Sequence, residues 1–184
     1  MIVGLISPDT GNVTLNNKDV FSSMDIRKKI GYVPTESFFY EKLSVVDNLK
    51  LVAHLYGVTN FHSKLNEIIK IVGINSYLHS NIEDLSTGMK KMVAFTSTLL
   101  IDAELLVLDE PFNALDLSSI SILNKKIISG SHSLIFTSHI PDTVYNLAEK
   151  IIVLKDGTVA ETVLTSQFDN LNDFSDWMKS VLEK

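Results

Sequence analysis

Apolar positions in the first half of the chain recur at helical spacing, whereas in the second half they gather into short unbroken runs. In "SVVDNLKLVAHLYG" (44–57), Val45, Leu49, Val52 and Leu55 fall close to one helical turn apart and predict an amphipathic helix. Ser44, with Asp47 three residues on, resembles a capping box at its start, although aspartate is shorter than the preferred glutamate. "FHSKLNEIIKIVG" (61–73) predicts a second amphipathic helix, with Gly73 placed to cap its C-terminus. Upstream, "NVTLNNKDV" (12–20) reads as a short strand and turn, with Asn16 and Asn17 as turn residues. "DIRKKIGYVP" reads as a brief helix followed by a strand over Ile30–Val33.

Beyond residue 100 the runs "ELLVLDEP" (104–111), "SLIFTSH" (133–139) and "KIIVLKDG" (150–157) predict strands buried on both faces. Helices are expected over 89–101, 116–129 and 141–149. The Asp-Gly pair in "KDGTVAE" predicts a hairpin, and the tail "TSQFDNLNDFSDWMKSVLEK" one more amphipathic helix. Strands alternating with helices in this order predict an α/β domain with a parallel sheet. No internal repeat, low-complexity tract or linker interrupts the pattern.

The opening is unusual, because Met1–Ile6 are nearly all apolar and "SPDTGN" follows as a tight turn. A signal peptide needs a basic lead and a longer apolar stretch, and no run reaches the roughly 18 apolar residues of a membrane span. Two readings stay open: the last turn of a helix stopped by Pro8 and Gly11, or an edge strand beginning at Met1. The 184 residues suit a single domain with a sizeable core, at 45% hydrophobic and 21% charged composition. A net charge of −6 argues against a sequence-independent nucleic-acid binder. The lack of cysteine excludes disulfides, thiolate zinc sites and cysteine nucleophiles.

"LLVLDEP" carries the sharpest chemistry. Asp109 and Glu110 emerge together at the C-terminal end of a predicted strand, the end at which open α/β sheets bind ligands. One carboxylate can hold Mg²⁺ while its neighbour polarises a water, as phosphoryl transfer requires; a solvated acidic turn is the alternative. In "LSTGM", Ser86 and Gly88 stand ahead of a helix expected near Met89, which makes either an anion site or an ordinary serine cap. His139 closes the run "SLIFTSH" and Pro141 suits the first turn of the next helix. His54, His62, His79 and His132 read as surface residues.

With these residues in place a resemblance becomes plain. "LLVLDEPFNALD" is similar to the Walker B and D-loop segment of the ATP-binding subunits of ABC transporters. "LSTGMKKMVAF" (85–95) resembles that family's LSGGQ signature, and "IFTSHIPDTVYNLAEKIIVLKDG" (135–157) its switch-histidine segment. "IGYVPTESFFYEKLSVVDNL" (30–49) resembles the stretch around its Q-loop. The four motifs keep the family's order from Met1 to Gly157.

The resemblance implies a RecA-like α/β P-loop NTPase core with a mostly parallel sheet. A helical subdomain would span 42–90, the core 91–164 and a C-terminal helix 165–184. It implies ATP and Mg²⁺ as cofactors, with Asp109 as the metal carboxylate, Glu110 as general base and His139 as the γ-phosphate switch. Ser86 and Gly88 would be donors to ATP held by the opposite subunit, and Asp116 the D-loop aspartate; a helix cap explains Asp116 equally well. The implied partners are a second ATP-binding subunit and a transmembrane permease, with no nucleic acid. The implied location is the cytoplasmic face of the plasma membrane. The form "LSTGMKK" is similar to bacterial single-domain exporters.

Two departures qualify the match. Thr35 stands where the family has its Q-loop glutamine, a longer side chain that reaches the metal. No G-x-x-x-x-G-K-[S/T] occurs in the 184 residues. The resemblance therefore implies a chain truncated at its N-terminus and missing the family's N-terminal strands and P-loop, with Met1 either an internal methionine read as a start or the product of a truncated gene. In the family the Walker A strand lies between the two strands that correspond to "SLIFTS" and "KIIVL", so these should flank an open slot or pair directly. The alternatives to an ATP-hydrolysing subunit are a non-hydrolysing partner donating its signature in trans and an inert fragment.

Overall fold

The computed structural model describes residues 1–36, 38–130 and 132–182. They fall into two compact units, 1–137 and the residues from Ser138 onward.

The first unit opens with a hydrogen-bonded turn, Gly4 N–H donating to the Met1 carbonyl at 2.8 Å, and neither a helix nor a strand forms there. Gly4 stands at φ 76°, outside the right-handed helical region, so the turn does not continue into a ladder. Val3 instead packs on a small cluster of Val20, Ile26 and Ile30, while Met1, Ile2, Leu5 and Ile6 stay exposed. Strands β1 (Thr14–Leu15) and β2 (Lys18–Asp19) pair antiparallel. Asn16 and Asn17 turn between them, both at positive φ (51° and 61°), as a type I′ hairpin requires.

Helix α1 (Met24–Arg27), capped by Ser23, leads into β3 (Ile30–Val33). Helix α2 (Val45–Tyr56) starts at Ser44, whose Oγ accepts from Asp47 N–H at 3.2 Å. The box is not reciprocal: the Asp47 carboxylate takes the Ser44 hydroxyl at 2.5 Å rather than the backbone of the cap. Helix α3 (Phe61–Val72) follows, and Gly57 and Gly73 end these helices in the left-handed conformation that glycine adopts without strain.

Helix α4 (Thr87–Leu100) is the centre of the core. Met92, Val93, Ala94, Phe95, Thr96, Thr98 and Leu100 are all buried, and the helix packs against α2, α3 and β3. Strand β4 (Leu105–Asp109) lies between β3 and β5 (Ser133–Thr137) in a three-stranded parallel sheet, with α5 (Leu117–Ser129) as the crossover from β4 to β5.

Burial on both faces does not extend to β5. Leu106 and Leu108 of β4 are buried, but β5 alternates between exposed and half-buried residues, and Ile135 is 42% exposed. The physical reason is position, because among the described residues β5 pairs with β4 alone and stands at the edge of its sheet. His132, just before β5, is not the surface residue expected. Its Nε2 is buried with no hydrogen-bond partner among the described residues, and burial holds the imidazole pKa below its usual range.

In the second unit, α6 (Pro141–Leu147) precedes an antiparallel ribbon of β6 (Lys150–Lys155) and β7 (Thr158–Leu164). Asp156 and Gly157, at φ 50° and 76°, form the predicted Asp-Gly turn. A short 3₁₀ turn over Thr165–Gln167 then leads to α7 (Leu171–Leu182), so the tail is helical over a shorter span than expected. Phe168, Phe174 and Trp177 form a cluster of edge-on and tilted ring contacts, Tyr145 of α6 reaches Phe174, and Phe174 is fully buried. Among the described residues β5 pairs with β4 and β6 pairs with β7.

Candidate functional site

Parallel register builds the acidic site. Asp109 and Thr137 are the last paired residues of β4 and β5 and stand opposite each other. Thr137 Oγ1 donates to Asp109 Oδ1 at 2.6 Å and accepts from Glu110 N–H at 2.9 Å. Thr35, two residues beyond β3, donates from Oγ1 to Asp109 Oδ2 at 2.7 Å. The short side chain that replaces the expected glutamine therefore reaches the carboxylate itself.

These two hydroxyls, Thr137 before Thr35, hold the Asp109 carboxyl below the usual carboxylate range, against a smaller opposing effect of burial. Tyr32 on β3 feels the same charge, since burial and then Asp109 push its phenol up. Glu110 follows at φ +45°, a backbone region that costs a residue with a Cβ about 1–2 kcal/mol. Lys91 of α4, 4% exposed, donates from Nζ to the Glu110 carbonyl at 2.6 Å. Burial lowers the Lys91 pKa, while Asp109 and Glu110 raise it.

A second cluster forms where α4 and α5 begin. Ser86 caps α4, its Oγ accepting from Met89 N–H at 3.3 Å, and the helix starts at Thr87 rather than near Met89. Asp116 caps α5, accepting from Ser119 N–H and from the Ser118 hydroxyl, both at 2.7 Å; these bonds keep its carboxyl below the usual range. Gly88 lies against the 110–116 turn so closely that a Cβ there would stand 2.6 Å from the Ala114 carbonyl oxygen. Ser86, Gly88 and Asp116 line one open cavity of about 420 Å³, together with Tyr77, Met89 and Met92.

The structure thus brings Asp109, Glu110 and Thr35 together, and separately Ser86, Gly88 and Asp116. His139 belongs to the second unit, where it is exposed. It does not close the strand as expected, because β5 ends at Thr137 and β4 offers no ladder partner beyond Asp109. Ser138 Oγ then accepts from Ile140 N–H at 3.1 Å, and Pro141 opens α6.

Lys91 and Thr137 belong to the site although their roles were not read from the sequence. Either lysine of "GMKKM" could face water, so nothing in the sequence singles out Lys91 as the buried one. Among the described residues no group of three or more His, Cys, Asp or Glu gathers as a metal cluster. One carboxylate flanked by hydroxyl oxygens is a donor set that fits a hard cation sharing its remaining positions with phosphate and water, as Mg²⁺ does. Among the described residues no helix is long and apolar enough to cross a membrane.

The comparisons concern the family and the fold. Over its full length the chain superposes on 80% of a solved structure titled "Structure of ATP binding subunit of ABC transporter", with a TM-score of 0.88 at 23% identity. It shares that fold. The chain is 33% identical, over 85% of its length, to the uncharacterized ABC transporter ATP-binding protein YhaQ of Bacillus subtilis, covering 54% of that protein. It is 31% identical to the linearmycin resistance ATP-binding protein LnrL of Bacillus subtilis (85% of this chain, 52% of that one). It is 29% identical to the bacitracin transport ATP-binding protein BcrA of Bacillus licheniformis (93% and 56%). The chain spans about half the length of these relatives. Residues 1–113 match the family model described as ABC transporter, and the chain belongs to that family.

Proposed function

We propose that the chain is an ATP-binding and ATP-hydrolysing subunit of a bacterial ABC transporter of exporter type. It would work with a second ATP-binding subunit and a separate transmembrane permease, which would hold it at the cytoplasmic face of the membrane. The observation that carries the reading is the Asp109 carboxylate. It is kept ionised at the C-terminal end of β4 by Thr137 and Thr35, directly beside Glu110. The names of the bacitracin and linearmycin relatives support the exporter assignment.

Asp109 would hold Mg²⁺, whose charge would offset that of the terminal phosphates. Thr35 orients the carboxylate from the other side. Glu110 would take a proton from the attacking water as general base, and His139 would contact the γ-phosphate. The Ser86 hydroxyl and the Gly88 N–H would close over ATP bound to the opposite subunit, with Asp116 organising the contact between subunits.

The test is a chimera in which a Walker A segment from a related subunit is joined ahead of Met1. It should hydrolyse ATP, and Glu110→Gln should abolish turnover while sparing Mg-ATP binding. Turnover that survives Glu110→Gln would overturn the assignment of the base. A chimera that binds Mg-ATP yet shows no turnover with Glu110 intact would favour a non-hydrolysing partner subunit.

A further inference from the structure

We propose that Lys91 is a positioning residue for the Asp109–Glu110 site, its buried ammonium fixing the Glu110 carbonyl and so the direction of the Glu110 side chain. The inference rests on the reading of Glu110 as the general base, but its geometry stands independently of nucleotide.

Lys91 occupies an apolar stretch of α4 where a methionine or leucine would fill the same space, and it is 4% exposed. Burying a flexible ammonium is costly unless the charge is met by hydrogen bonds and opposite charge. Here it donates at 2.6 Å to the carbonyl of a residue at φ +45°. The same oxygen also accepts Asn113 N–H, at a longer 3.3 Å, so the lysine makes the shorter, charge-assisted bond. The other end of that turn is held by the same helix, since the Ala114 carbonyl lies against Gly88. Helix α4 therefore grips the 110–114 turn at both ends, and the helix that begins at Ser86 sets where Glu110 points. A shift of the α4 N-terminus would reach Glu110 through Lys91.

The test uses the whole 184-residue chain without nucleotide, reading amide exchange and the Glu110 carbonyl ¹³C shift by NMR. Lys91→Met, which keeps the volume, should shift the Glu110 carbonyl and speed exchange at Asn113 and Leu115 by about tenfold or more, with the α4 amides unchanged. The chain has no cysteine, so Lys91→Cys can be alkylated with 2-bromoethylamine in denaturant and refolded beside a refolded parent control. The resulting isostere restores the ammonium and should restore both signals. An unchanged carbonyl shift in Lys91→Met, a loss of protection spread equally over α4, or no rescue by aminoethylation would each overturn the proposal. None of these readings involves ATP, so failure of the chimera to hydrolyse ATP would count against the functional assignment and leave this result to stand separately.

Discussion

Thr137 serves Asp109 and Glu110 with one hydroxyl, donating to the Asp109 carboxylate at 2.6 Å and accepting from the Glu110 amide at 2.9 Å. Because the folded pKa of Asp109 lies below its ordinary value near 3.9, the stabilising contribution is complete above that value. It is lost as pH falls through the folded pKa. Thr137→Val should therefore raise the Asp109 midpoint, seen by carboxyl ¹³C titration, and cost no more than about 1 kcal/mol at pH 7 by urea denaturation, because both bonds are open to solvent. The deficit should shrink in strong acid, where Asp109 is protonated in both proteins and only the bond from the Glu110 amide to Thr137 differs. An unmoved Asp109 midpoint would remove Thr137 from the site.

Gly88→Ala probes the contact between α4 and the 110–116 turn. The added methyl would meet a backbone oxygen at 2.6 Å, and a backbone cannot swing aside as a side-chain tip can. Overpacking of this kind costs about 1–3 kcal/mol. The variant should be destabilised by that amount, with amide shifts concentrated at Ala114 and Leu115 rather than along α4. A fully stable variant with an unmoved turn would show that the approach is looser than described.

Local chemistry was the legible part of this chain. Asn16–Asn17 and Asp156–Gly157 announced their hairpins because few pairs adopt positive φ twice in succession. Ser44 announced the start of α2 and Gly73 the end of α3 because caps act within a few residues. Asp109 was legible because an acid closing an apolar run has few structural explanations. The misses all depend on what stands across space. Lys91 sits in "GMKKM", where either lysine could face water, and only the packing of α4 decides which is buried. Thr137 matters through its register with Asp109, and register is set by the partner strand. The runs of β5 and β6 read as buried on both faces because composition reports what a strand can bury, whereas neighbours decide what is covered.

The β6–β7 ribbon leaves Ile152, Leu154, Val159 and Leu164 exposed at 55%, 72%, 62% and 47%. Apolar ribbon faces and unpaired edges promote association. The 184-residue chain expressed alone should bind hydrophobic dyes and sediment partly as oligomers. Ile152→Thr with Leu154→Thr should reduce both effects while leaving the ribbon paired, since threonine suits a strand. A monodisperse parent with little dye binding would contradict the expectation.

Phosphoryl transfer relies on positioning and on neutralising charge, and in P-loop enzymes most phosphate contacts come from the Walker A backbone and its lysine. These 184 residues supply a candidate metal carboxylate, a candidate base and a signature-like cap, but no G-x-x-x-x-G-K-[S/T]. The isolated chain should therefore show no detectable ATPase and at best weak Mg-ATP binding by calorimetry, and Asp109→Asn should weaken it further. The Ser86–Gly88 cluster makes a different demand, because it would act on ATP held elsewhere. Mixed with a complete family subunit whose own signature serine is mutated, the chain should restore turnover in that subunit. Ser86→Ala should remove the restoration, while Glu110→Gln, which belongs to the other site, should leave it intact. Robust Asp109-dependent hydrolysis by the purified chain with no partner would show that phosphate can be held here without the P-loop, and the division of roles between the two clusters would have to be redrawn.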